Sequence, residues 1–174
     1  MSPEEERVRN YLLGQGKKYP LKTLWLRVIQ ARLQLIEEIS AVNQAQADFS
    51  YDKNEWTISE IVYHVVLSTD RVIKLMRELS EGMMEGESDV EPARTESAYG
   101  IEELKDLILD GAHALTAIAS ELPEYPDTRF TSNHSFFGDL HVGAWYMFQR
   151  VHDLDHLNQI RTVKKEDGYL KVES

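Results

Sequence analysis

The sequence predicts an all-α protein, a four-helix bundle with a short extra N-terminal helix. Three observations carry that expectation. Four long stretches repeat apolar residues at three- and four-residue spacing, which lines one face of a helix. Almost no stretch alternates apolar and polar residues as a half-buried strand does. The 174 residues, 42% of them hydrophobic, contain no repeat or linker that divides them, so they suit a single domain over 1–174 able to bury a core without staples. The bundle itself is expected between about residues 20 and 165.

Each element has a local cause. In MSPEEERVRNYLLGQG, Ser2 can cap a helix, Pro3 suits its first turn and Gly14 is a stop signal, which predicts a short separate helix. From about Pro20 to Gln46, the run Leu21, Leu24, Trp25, Val28, Ile29, Leu35, Ile36, Ile39 and Val42 predicts one long helix. The next starts at WTISEIVYHVV, where Thr57 and Glu60 have capping-box spacing and Trp56 and Ile61 the positions of a hydrophobic staple; its apolar face continues to about Leu79. The stretch SEGMMEGESDVEPARTESAYG, acidic and rich in Gly and Ser, reads as a long connection. Ile101, Leu104, Ile108, Ala112, Leu115, Ile118 and Leu122 predict a third long helix, stopped by Pro123 and Pro126. After a loop, Asp139 is the expected cap of a fourth, running to about Lys165.

Composition narrows the function. Asp and Glu number 30 against 19 Lys and Arg, a net charge of -11 that repels phosphate backbones and anionic lipid. Neither nucleic acid nor a membrane is an expected partner. There is no cysteine, so disulfides, thiolate metal sites and a nucleophilic thiol of the protein's own are excluded, and sulfur chemistry needs an outside thiol. The charged N-terminus and the lack of any run approaching the roughly 20 apolar residues of a membrane span predict a soluble, cytoplasmic protein.

The chemistry concentrates in RVHDLDHLNQIRTV. On a helix, His152 and His156 lie one turn apart on one face, and that face carries Trp145, Phe148 and Ile160, which turns it inward. Two imidazoles in a core must each find a partner, and a divalent metal satisfies both. His141 stands about 16 Å away along the axis and cannot share the ion. His113 falls off its apolar stripe and reads as a surface residue, and His134 lies in a loop without an assignable role. His64, between Ile61, Val65 and Ser68 on the inward side of a well-capped helix, is the remaining candidate. His64, His152 and His156 together would leave open positions on an ion, the arrangement of catalytic metals. Asp153 stands between a solvated charge and an acceptor for an imidazole N–H, and Asp155 between pocket use and a plain helix-face charge. Glu60 is explained by its cap, so no catalytic base is named.

At these residues the chain resembles the DinB/YfiT-like metalloenzymes. The resemblance rests on the Trp followed by ISEIVYHVV, on FFGDLHVGAWYMFQRVHDLDHLNQI with its closing H-x3-H, and on four helices in the same order, and it covers about Leu21 to Val163. It implies a four-helix bundle in which His64, His152 and His156 bind one divalent ion, often as a homodimer. It also implies enzymes that join a low-molecular-weight thiol to an electrophile, or isomerise through such a thiol. Imidazole suits Zn, Ni, Fe or Mn, and the sequence does not choose among them.

Three functions follow as expectations: a metal-dependent thiol transferase first, a metal-dependent hydrolase using activated water second, and a non-enzymatic dimeric binding or stress-response module third. Leu26 and Leu33, outside the core stripe, are the candidate dimer face. If the second and fourth long helices run antiparallel, His64 and His156 meet near one mouth of the bundle. The segments 50–56 and 164–169 should then lie at that mouth, with Trp56, Gln159 and Asp155 as pocket residues and Tyr51 or Tyr169 beside them. The connection beginning at Ser80 is expected at the opposite end.

Overall fold

The computed structural model describes residues 1–83 and 90–169. Among these the elements are α1 (Pro3–Lys18), α2 (Leu21–Ile39), α3 (Gln44–Ala47), α4 (Ile58–Ser80), α5 (Ile101–Glu121), β1 (Thr131–His134), β2 (Gly138–His141) and α6 (Val142–Val163). The all-α expectation holds, with one small antiparallel hairpin added. No helix among the described residues is long and apolar enough to cross a membrane.

The apolar stripes become the core. Leu24, Val28, Leu35 and Ile39 of α2, Ile61, Val65, Val72 and Met76 of α4, Leu104, Ile108, Leu115 and Ile118 of α5, and Trp145, Leu157 and Ile160 of α6 are all buried. Thr57 caps α4 as expected: its hydroxyl accepts from the Glu60 N–H while the Glu60 carboxylate accepts from the Thr57 N–H.

Cross-helix contacts fix the directions. His64 meets His152 while Thr69, further along α4, meets Gln149, earlier on α6, so these two helices are antiparallel. Arg32 meets Asp153 and Glu38 meets Lys164, so α2 and α6 are parallel. Trp25 meets Thr116 and Gln44 meets the start of α5, which sets α2 against α5. Tyr63 packs on Tyr99 and Arg77 pairs with Glu121, which sets α4 along α5. The bundle is therefore up, down, down, up, with α2 and α4 on one diagonal.

That topology corrects the expected place of the long connection. Because α4 and α5 run the same way, the chain leaving Ser80 must return along the bundle to the end where α4 began. It arrives at the site: Pro92 touches His64, and Arg94 pairs with Glu60 and with the Lys53 carbonyl.

Three boundaries also differ. The helix expected over 20–46 breaks after Ile39, because Asn43 accepts from the Gln46 N–H and Gln46 returns the bond, an arrangement Asn favours over helix interior. Val42 stays buried across the break, so the periodicity does not register it. The N-terminal helix is not short: it passes Gly14 and ends at Lys18, where Pro20 forces Tyr19 into the extended region. Gly16 then lies against the backbone of Gly143, where a Cβ would stand 2.3 Å from the Gly143 carbonyl carbon. The cap of α6 is His141, whose Nδ1 accepts from the Ala144 N–H, and not Asp139, which pairs with Asn133 in the hairpin. Four-residue strands offer too few alternations to be read from sequence.

Candidate metal centre

Three histidines from two helices converge at one point. His64 stands two turns into α4, and His152 and His156 stand one turn apart on α6. His64 Nε2 lies 3.1 Å from His152 Nε2, and His156 Nε2 lies 3.2 Å from the same atom. Their candidate ligand atoms all fall within 4.8 Å of one another, and this is the trio the sequence predicts. Nitrogens holding an ion tetrahedrally at about 2.0–2.1 Å sit roughly 3.3 Å apart, which the two spacings from His152 Nε2 match.

The outer ring atoms support the same reading. The Pro92 carbonyl is 3.0 Å from His64 Nδ1, and Gln159 Oε1 is 2.9 Å from His156 Nδ1. Each oxygen can only accept, so each places the ring proton on Nδ1 and leaves the Nε2 lone pair facing inward. His152 Nδ1 has no hydrogen-bond partner among the described residues. Trp56 packs edge-on to His64, and Phe148 lies against His152.

Burial keeps the pair that touches the core uncharged. It lowers His64 to about 4, helped by repulsion from His156 and opposed by the Pro92 carbonyl. It holds His152 well below the ordinary imidazole value, with His156, His64 and Arg32 adding to the effect. Neutral imidazole is the form that binds metal.

The cluster opens into a cleft of about 720 Å³. Trp56, Asp155 and Gln159 line it as expected, with Val8, Phe137 and Val151 on its apolar side. Tyr51 is instead exposed, and Tyr169 stacks edge-on to Phe49, so neither joins the wall. The Lys164 ammonium is drawn away to Glu38.

Other residues near the centre depart from the expectation or had no part in it. Asp153 is neither solvated nor bound to an imidazole; it is buried against Arg32. Arg32 sits four residues after Val28 and three before Leu35, so a charge on the apolar stripe was the available signal. His134 is buried against Phe137, Trp145 and Phe148, and its Nε2 lies 3.6 Å from Glu91 Oε2. Burial raises the Glu91 carboxyl, but the His134 contact and the charges of His134, His64 and His156 outweigh it and hold it below its ordinary value. Nothing local in the acidic connection marked Glu91 out, because only the return path of the chain brings it to the cleft.

Bundle and centre together define a helical protein with a three-histidine site that suits a metal ion. The chain belongs to the DinB superfamily, whose family model matches residues 27–160. Its fold is similar to that of TT2238, described as a four-helix bundle protein, with a TM-score of 0.63 and 20% identity over 82% of this chain and 98% of that one. No curated relative matches the sequence.

Proposed function

We propose that this protein is a metal-dependent enzyme that joins a low-molecular-weight thiol to an electrophile, acting as a homodimer, with His64, His152 and His156 holding one divalent ion. The observation that carries this reading is the convergence of three Nε2 atoms at the edge of an open cleft. A divalent ion bound there would supply Lewis acidity that favours thiolate, the nucleophilic form of a thiol, at neutral pH. The protein's own groups do the rest. The Pro92 carbonyl and Gln159 hold two of the rings in the ligating tautomer. Trp56, Phe137, Phe148 and Val151 give an apolar electrophile a surface to lie on and thin the water around the sulfur. The chain has no cysteine, so the thiol comes from solution.

The test is metal analysis of protein purified without an affinity tag, followed by thiol consumption with 1-chloro-2,4-dinitrobenzene. One equivalent of a divalent metal and metal-dependent loss of thiol are expected. Hydrolysis of p-nitrophenyl acetate without thiol consumption would favour a hydrolase. A folded protein that takes up no metal would favour a binding module.

A further inference from the structure

A metal site that handles a thiol or a water needs somewhere for the proton to go, and the cleft holds several carboxylates. Glu4 is paired with Arg7 and Glu5 caps the first helix through Ser2. Glu60, just outside, is held by Thr57 and Arg94. Asp155 is exposed on its helix. Glu91 differs from all of these, because it is partly buried, lines the cleft beside His64, and faces a buried histidine.

The tautomer of that histidine follows from its hydrogen bonds. The backbone N–H of Phe136 donates to His134 Nδ1 at 3.1 Å, so that nitrogen carries a lone pair. The ring proton therefore sits on Nε2, which has no hydrogen-bond partner among the described residues and lies 3.6 Å from Glu91 Oε2. Such contacts commonly stand long without substrate and shorten when it binds. The ring itself cannot swing away: Phe137 and Phe148 each lie 4.8 Å from it, and Trp145 5.5 Å. The hairpin, otherwise unexplained in a four-helix bundle, is the element that delivers this histidine.

We propose that Glu91 is the proton acceptor of the site and that His134 is its positioning residue. This rests on the reading of the centre given above. The Glu91 carboxylate takes the S–H proton of the incoming thiol. The sulfur forms a bond to the electrophilic carbon as the bond to the leaving group breaks, and Glu91 then gives its proton to water where chloride departs, or to the leaving group itself where that anion is basic. Thiol and electrophile give thioether, leaving group and one proton, with no oxidant or reductant involved. His134 donates its N–H to one carboxylate oxygen and leaves the other facing the cleft.

The experiment compares zinc-loaded wild type with Glu91→Gln, Glu91→Ala, His134→Leu and His134→Gln, using glutathione and 1-chloro-2,4-dinitrobenzene. Glu91→Gln should bind zinc as wild type does and unfold at the same temperature, yet lose about 100-fold or more in kcat with KM little changed. Formate should restore part of the activity of Glu91→Ala. His134→Leu should lose activity without losing zinc, and His134→Gln, which keeps an N–H donor, should recover much of it. In metal-free protein, the nitrogen-15 shifts of His134 should report a proton on Nε2. Wild-type kcat in Glu91→Gln, loss of zinc from that variant, or a proton on Nδ1 of His134 would each overturn the proposal. Wild type that spares the thiol but hydrolyses p-nitrophenyl acetate would sink the transferase reading alone; the same variants are then compared in hydrolysis, where an unchanged Glu91→Gln rate overturns the role of Glu91. A wild type inert in both assays overturns both.

Discussion

Arg32 and Asp153 meet as a fully buried, two-pronged ion pair between α2 and α6: Nε lies 2.8 Å from one carboxylate oxygen and Nη2 lies 2.9 Å from the other. Nη2 also donates to Thr69 of α4 at 2.8 Å, so one guanidinium ties three helices together. Asp153 directly follows His152, and the pair sets the rotation of α6 that aims His152 at His64. Replacing Asp153 by Ala strands a buried charge and should lower stability by about 3–5 kcal/mol. Urea unfolding checks this. The paired change of Arg32→Met with Asp153→Leu, which removes both charges, should recover most of the loss; a double variant as unstable as the single one would count against the explanation.

The bundle and the convergence of the three histidines were readable because both depend on local periodicity. His64 stands among Ile61, Val65 and Ser68, and His152 and His156 share the face of Phe148 and Ile160, so helix geometry alone turned them inward. Arg32, Glu91 and His134 were not readable in the same way. Arg32 is stable in the core only because Asp153 comes to it from 121 residues away. Glu91 reaches the cleft only because α5 runs parallel to α4, and direction is not written in a stripe. Asp139 was a plausible cap by residue type, but the hairpin register Asn133 to Asp139 claims it, leaving His141 to cap.

The docking of α1 should fail on a single methyl group. Alanine ordinarily stabilises a helix by about 1 kcal/mol over glycine. At Gly16 the sign reverses, because a Cβ would meet the Gly143 backbone at 2.3 Å, where nothing flexible can give way. Gly16→Ala should destabilise the protein by about 1–3 kcal/mol or more. Since Glu4, Glu5 and Val8 of α1 wall the cleft, hydrogen exchange should rise in α1 first. Gly14→Ala meets nothing within 4 Å and should be neutral or slightly stabilising, which makes it the control.

Removing one ligand should separate metal binding from folding. His156 is only partly buried, and its ring leans on Gln159 and the other two histidines, not on the apolar core. His156→Ala should abolish stoichiometric metal uptake while leaving the helical circular dichroism close to wild type. A full equivalent of metal retained by this variant would show that the trio is not the ligand set.

Self-association is expected through the outer face of α2. Leu26 and Leu33 lie seven residues apart on it, 54% and 52% exposed. Light scattering at tens of micromolar should give about twice the chain mass, and Leu26→Glu with Leu33→Glu should reduce it to one. A monomeric wild type at that concentration removes the proposal.

Acid should destabilise the metal-free protein at a pH set by its histidines. His64 is held near 4 and His152 well below its ordinary value, against 6.5 for imidazole in an unfolded chain. Between those values the unfolded state takes up protons that the folded state refuses, so the unfolded state gains. The stabilising contribution is therefore complete above pH 6.5, shrinks as the pH falls, and for His64 is exhausted near pH 4. Taken alone, His64 accounts for on the order of 2 kcal/mol, allowing for some solvent screening. Urea midpoints should accordingly fall from about pH 7 to about pH 4. Carboxylates such as Glu38 and Glu60, raised by burial but lowered more by Lys164 and Arg161 and by Arg94 and Thr57 respectively, contribute in the same direction at the acid end. Two comparisons isolate the histidines. His64→Leu should flatten the upper part of the curve, between about pH 6.5 and pH 5, where carboxylates barely titrate. Excess zinc should raise stability at neutral pH, and that increment should disappear on acidification as protons displace the ion from the ligands. A midpoint independent of pH over that upper range in wild type would show that the two buried rings take up protons as readily folded as unfolded.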